Sequence, residues 1–106
     1  MNFSQSLLAF DDLRPHFDRA LGSERGIKIT CDSYSQAVIL RARFNYYRKL
    51  DRQSNKRTYG EEHPLHNRSI YDRLILRVPK KGTADENCVF LEKRSPEAWK
   101  IEEIKP

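Results

Sequence analysis

Apolar residues recur along this chain with two different periods, and the changes of period mark its elements. Phe10, Leu13, Phe17 and Leu21 recur at helical spacing, which predicts a helix over 12–21. Pro15 is compatible with it if Asp11 or Asp12 caps the helix, because proline is tolerated in a first turn. Gly22 is a natural stop, and a short turn is expected near 4–10. The period then becomes two. Ile27, Ile29 and Cys31 face one way while Lys28 and Thr30 face the other, as in a half-buried strand over 26–32. Ser33 and Gln36 stand in capping-box spacing and open a second helix, expected over about 34–53. Ala37, Leu40, Phe44 and Tyr47 form its apolar arc, with Ile39 and Leu50 at the far edge. Beside that arc Arg41, Asn45, Arg48 and Arg52 recur as a polar stripe. Arg43 projects from the apolar side, where its stem is expected to snorkel.

Residues 53–68 show no periodicity and read as a long loop, of the kind that is often functional or mobile. From 69 to 79 the alternation returns, with Leu74, Leu76 and Val78 inward and Arg73, Ile75 and Arg77 outward. A polar turn over 80–87 leads to a third strand over 88–92, so that 70–92 forms a hairpin. Ser95-Pro96-Glu97 opens a last short helix, docked by Trp99, Ile101 and Ile104. The order α-β-α-β-β-α predicts a single α+β domain over 1–106, a small three-stranded sheet with helices packed on it. If strands 1 and 2 are parallel neighbours, their crossover through the arginine helix is right-handed. Strand 1 at a sheet edge would permit a homodimer.

Charge changes this picture by being local. The chain carries 20 Lys+Arg against 15 Asp+Glu, a net +5. Arg41, Arg43, Arg48, Lys49, Arg52, Lys56 and Arg57 lie in one window with Asp51 as its only acid. That window therefore carries +6, and everything outside it sums to −1. Phe44, Tyr46 and Tyr47 are interleaved with the cations. A concentrated basic stripe with aromatics is the footprint of a polyanion-binding surface. Arginine suits phosphate because its planar fork donates two hydrogen bonds and stays charged. Arg41, Arg48 and Arg52 span about 16 Å of helix, enough for several successive phosphates. Asn45 is placed for a base edge or a phosphate. Lys49, Lys56 and Arg57 extend the stripe, and Arg73 and Arg77 widen it if their strand lies beside the helix. Tyr46, Tyr47 and Tyr34 are candidates for stacking on unpaired bases, with Tyr47 better placed for the core. The competing reading is a solvated helix whose arginines pair with Asp18, Glu92 and other acids.

Other chemistries find little support. Cys31 and Cys88 sit in strand-like contexts and read as small buried hydrophobes. The segment Glu61-Glu62-His63-Pro64-Leu65-His66 holds potential metal ligands, but it lacks the helical spacing of a zinc motif. No nucleophile elbow is present, and Gly22-Ser23-Glu24-Arg25-Gly26 precedes a strand, whereas a phosphate-cradling loop precedes a helix. A binding module without enzymatic activity or cofactor is expected. No apolar run reaches the length of a membrane span, and the N-terminal segment does not read as a signal peptide. A cytoplasmic location and no membrane partner are the corresponding expectations.

Two blocks, GIKITCDSYSQAVILRARFNYYRKLDR (26–52) and HPLHNRSIYDRLILRVP (63–79), resemble segments of small bacteriophage and prophage accessory proteins. That resemblance implies one of two roles. The first is binding of DNA or RNA. The second is inhibition of a host defence or regulatory complex, as by anti-CRISPR proteins, with the basic patch on an acidic protein or RNA-facing surface. The favoured expectation is nucleic-acid binding through the second helix.

Overall fold

The computed structural model describes residues 11–94. Its elements are helix α1 (Arg14–Gly22), strand β1 (Gly26–Thr30), helix α2 (Tyr34–Thr58), a 3-10 turn (Ile70–Arg73), and strands β2 (Leu74–Arg77) and β3 (Cys88–Lys93). This is the expected small α+β fold. The expected turn near 4–10 and the last helix from Ser95 lie outside the described residues.

The sheet order is β1-β3-β2, and both pairings are antiparallel. β2 and β3 form the expected hairpin, but β3 then inserts between β2 and β1. Strands 1 and 2 are therefore not neighbours, and the conditional crossover does not arise. Among the described residues β1 is an edge strand, as is β2. Lys28, exposed on β1, is the kind of charge that discourages strand addition at such an edge.

Alternation places Ile27, Ile29, Leu74, Leu76, Val89 and Leu91 on one face of the sheet, where α1 and α2 close a single core. Its centre is aromatic. Phe17 stacks on Tyr71 at 4.5 Å and meets Phe44 edge-on at 4.8 Å, with Tyr47 at 5.6 Å. The Tyr71 hydroxyl reaches the surface of this cluster and donates to Asp18 at 2.7 Å. A buried phenol needs such a partner.

Local chemistry sets the boundaries. Ser33 caps α2 by accepting from the Gln36 N–H at 3.2 Å. α1 starts instead at Leu13 without a side-chain cap, with Pro15 in its first turn. Asp12, expected as a possible cap, accepts a bidentate contact from Arg43. Arg43 thus ends in an ion pair. Gly26 has φ +116°, and a Cβ there would fall 2.0 Å from the Leu91 carbonyl oxygen. Only glycine lets β1 begin so close to β3.

Two boundaries differ from expectation. α2 continues to Thr58, so the loop begins at Tyr59 and the helix covers 53–58. Residues 70–73, expected as strand, form the 3-10 turn, nucleated by a capping box between Ser69 and Asp72.

Candidate nucleic-acid interface

The arginine stripe of α2 divides into an internal seam and an outer basic face. In the seam, Arg48 Nη1 donates to the carbonyls of Leu74 at 2.8 Å and Tyr71 at 3.3 Å, and Nη2 donates to Asn45 Oδ1 at 2.7 Å. One turn on, Arg52 grips Asp72 through Nε and Nη2, with its shortest contact at 2.8 Å. Asp51 accepts the buried Ser69 hydroxyl at 2.6 Å, and Asn55 Nδ2 donates to the Arg68 carbonyl at 2.7 Å. Arg48, Asp51, Arg52 and Asn55 stand at i, i+3, i+4 and i+7, so they share one face. That face is a polar clamp on residues 68–74.

Electrostatics agree with a structural seam. Burial lowers the Arg48 pKa, and the charges of Arg52 and Arg94 add to the effect against the opposing pull of Asp72. Hydrogen bonding to Asp72 raises that of Arg52. Burial alone would raise the Asp72 carboxyl. The hydrogen bonds from Arg52 and the Ser69 N–H, with the charges of Arg52 and Arg48, outweigh it and hold the carboxyl below its usual value. Arg48 thus spends both Nη groups, and Arg52 its Nε and Nη2, on their own chain, and Asn45 serves Arg48.

The outer face of α2 keeps Lys49 and Lys56, and half-buried Arg41 continues the seam face two turns before Arg48; none of the three has a side-chain partner among the described residues. Arg57 is exposed near the helix end, where a cation suits the helix dipole. Tyr46 is 46% exposed and Tyr47 6%, so only the former is accessible for stacking.

The second concentration of charge is assembled from distant segments. The Lys93 N–H donates to the Arg25 carbonyl at 3.0 Å, and the Arg94 N–H donates to the Arg73 carbonyl at 3.0 Å. Backbone pairing therefore sets Arg25 beside Lys93 and Arg73 beside Arg94, a row of backbone positions across one end of the sheet. All four are exposed, and their charged groups have no partner among the described residues. Beside them a groove of about 980 Å³ is lined by Leu65, Ile70, Arg68, Arg73, Lys93 and Arg94, among others. Its carboxylate, Asp72, is already held by Arg52. The Arg48 contacts with the Tyr71 and Leu74 carbonyls place this end of β2 beside the middle of α2. Of the two arginines expected to point outward from this strand, Arg73 ends the 3-10 turn and joins the row, whereas Arg77 of β2 pairs with Glu92 at 2.6 Å.

Sequence reasoning singled out Arg73 but missed Arg25, Arg68, Lys93 and Arg94. For Arg25, Lys93 and Arg94 the signal is strand register, which a linear charge window does not contain. The His-bearing segment has a different use. The His63 ring stacks on Tyr59 at 4.0 Å and accepts the Leu65 N–H, and His66 Nδ1 donates to the Tyr59 carbonyl. Among the described residues no three His, Cys, Asp or Glu side chains gather as metal ligands. Cys88 is buried and Cys31 half-buried, and burial pushes the Cys31 thiol up, with Cys88 and Asp32 adding to the shift. A raised thiol is a poor nucleophile. No described helix is long and apolar enough to cross a membrane. No family model, curated protein or solved structure matches the chain.

Proposed function

We propose that the protein is a nucleic-acid-binding module that contacts phosphates through the row at the sheet end and the outer face of α2. The observation that carries this reading is the row Arg25–Lys93/Arg94–Arg73. Like charges set opposite one another across strands oppose folding. A surface that gathers four cations from three segments, uncompensated among the described residues, gains most from a polyanion. Arg41, Lys49 and Lys56 extend the same sign of charge along α2, with Arg57 at its end. Arg48 and Arg52 build the surface and are not assigned phosphates here.

Fluorescence anisotropy with labelled single- and double-stranded DNA and RNA at two salt concentrations tests the reading. Binding that weakens steeply with salt supports it, and absence of binding at low salt ends it. One observation favours a protein partner, as an inhibitor of a host complex would require. Ile39 is 59% exposed and Tyr46 46% exposed on α2, which adds apolar surface beside the cations. Saturable binding to a protein, with no affinity for oligonucleotides, would select that second reading.

A further inference from the structure

We infer that the outer face of the sheet is a platform for unpaired bases, so that the preferred ligand is a single strand. This inference rests on the nucleic-acid reading and sharpens it. The two helices pack on the face that carries Leu91 and Val89. Phe90, in the central strand β3, therefore points to the opposite face, where it is partly exposed. Register sets Lys28 of β1 on one side of it and Arg77 of β2 on the other. The Arg77 guanidinium, steadied by Glu92, lies over one face of the Phe90 ring, 4.3 Å from its centre, so a base would stack on the opposite face.

Grooves open on both sides of this pair. One, of about 880 Å³, is lined by Arg25, Lys28, Phe90 and Arg94, with Glu24 as its remaining acid once Glu92 is paired. The other, of about 460 Å³, runs between Phe90 and Pro79, Lys80 and Asp85. The larger groove shares Lys93 and Arg94 with the sheet-end groove, so the basic row borders both.

Charge and shape select the occupant. Arg25, Lys28 and Arg94 have no side-chain partner among the described residues, and they surround a partly exposed aromatic ring. Base stacking on such a ring, with phosphates on flanking cations, is the general chemistry of single-strand recognition. A duplex keeps its base faces stacked inside the helix and has none to offer Phe90. An acidic peptide satisfies the cations but makes no use of stacking.

The test compares Phe90→Leu, Phe90→Trp and Lys28→Ala with the wild type, using a labelled single-stranded oligonucleotide and a duplex, with polyglutamate as competitor. Phe90→Leu is expected to weaken single-strand binding about tenfold, to leave the duplex unaffected and to keep the salt slope. Phe90→Trp restores the affinity, which separates lost stacking from lost folding. Lys28→Ala lowers the slope by about one. Single-strand affinity unchanged in Phe90→Leu, wild-type preference for duplex, or displacement by polyglutamate as effective as by oligonucleotide would overturn the inference. Each of the first two outcomes leaves the broader reading standing. Absence of any oligonucleotide binding by the wild type ends both.

Discussion

Arg48 shows why residue type and spacing underdetermine role. Its three contacts satisfy the carbonyls of Tyr71 and Leu74 and fix Asn45, while its buried Nε finds no partner among the described residues. Replacing it by Met keeps the stem and removes the donors. Arg48→Met is expected to cost about 2 kcal/mol and to lower the melting temperature by on the order of 10 °C, as read by thermal denaturation. An unchanged melting temperature would remove the clamp from the fold's support. Asp72 gives the seam a pH dependence. Its folded pKa is depressed, so its ionised form contributes stability that is present above the unfolded value of about 4 and is lost as pH falls through the folded value. The wild type should therefore melt above Asp72→Asn at neutral pH, and the gap should close below about pH 4. A gap that stays constant down to acid pH would mean that the carboxylate charge contributes nothing. The Arg52 and Asp72 side chains are both about one-third exposed, so the pair itself is worth only about 1 kcal/mol.

At the scale of elements, Gly26 is the most constrained position. Gly26→Ala is expected to destabilise by at least about 2 kcal/mol, because the positive φ and the Leu91 carbonyl both oppose a side chain. A denaturant midpoint equal to the wild type would contradict the close β1–β3 approach. Helix and strand identities were legible because each buries one periodic apolar face, as Phe44 and Tyr47 do on α2 and Ile27 and Ile29 on β1. The end of α2 was not, since residues 53–58 add no apolar period. That end is held by Asn55 on the Arg68 carbonyl and by Tyr59 closing on the Asn55 carbonyl. The 3-10 turn was hidden for a similar reason. Leu74 and Leu76 carried the alternation, and it was extended back over Ser69-x-x-Asp72, a local cap signal. Strand order was beyond reach, because nothing local to β3 states that it pairs on both sides.

At the scale of the whole molecule, the helix arginines and the fold compete for the same donors. Sequence identifies the density of cations on α2, but Arg43, Arg48 and Arg52 meet partners 20 or more residues away. The fold offsets that loss by bringing Arg25, Arg73, Lys93 and Arg94 together, which no window of the sequence displays. The proposed contact surface thus follows from topology as much as from composition. Its most direct test is the salt dependence of oligonucleotide affinity in two sets of variants. Alanine at Arg73, at Arg94 and at Lys49 should each lower the slope of log K against log salt by about one, while Arg52→Ala leaves it unchanged. Unchanged slopes for the first three variants, with a drop for Arg52→Ala, would contradict the division between a seam used by the fold and an outer face used for phosphate.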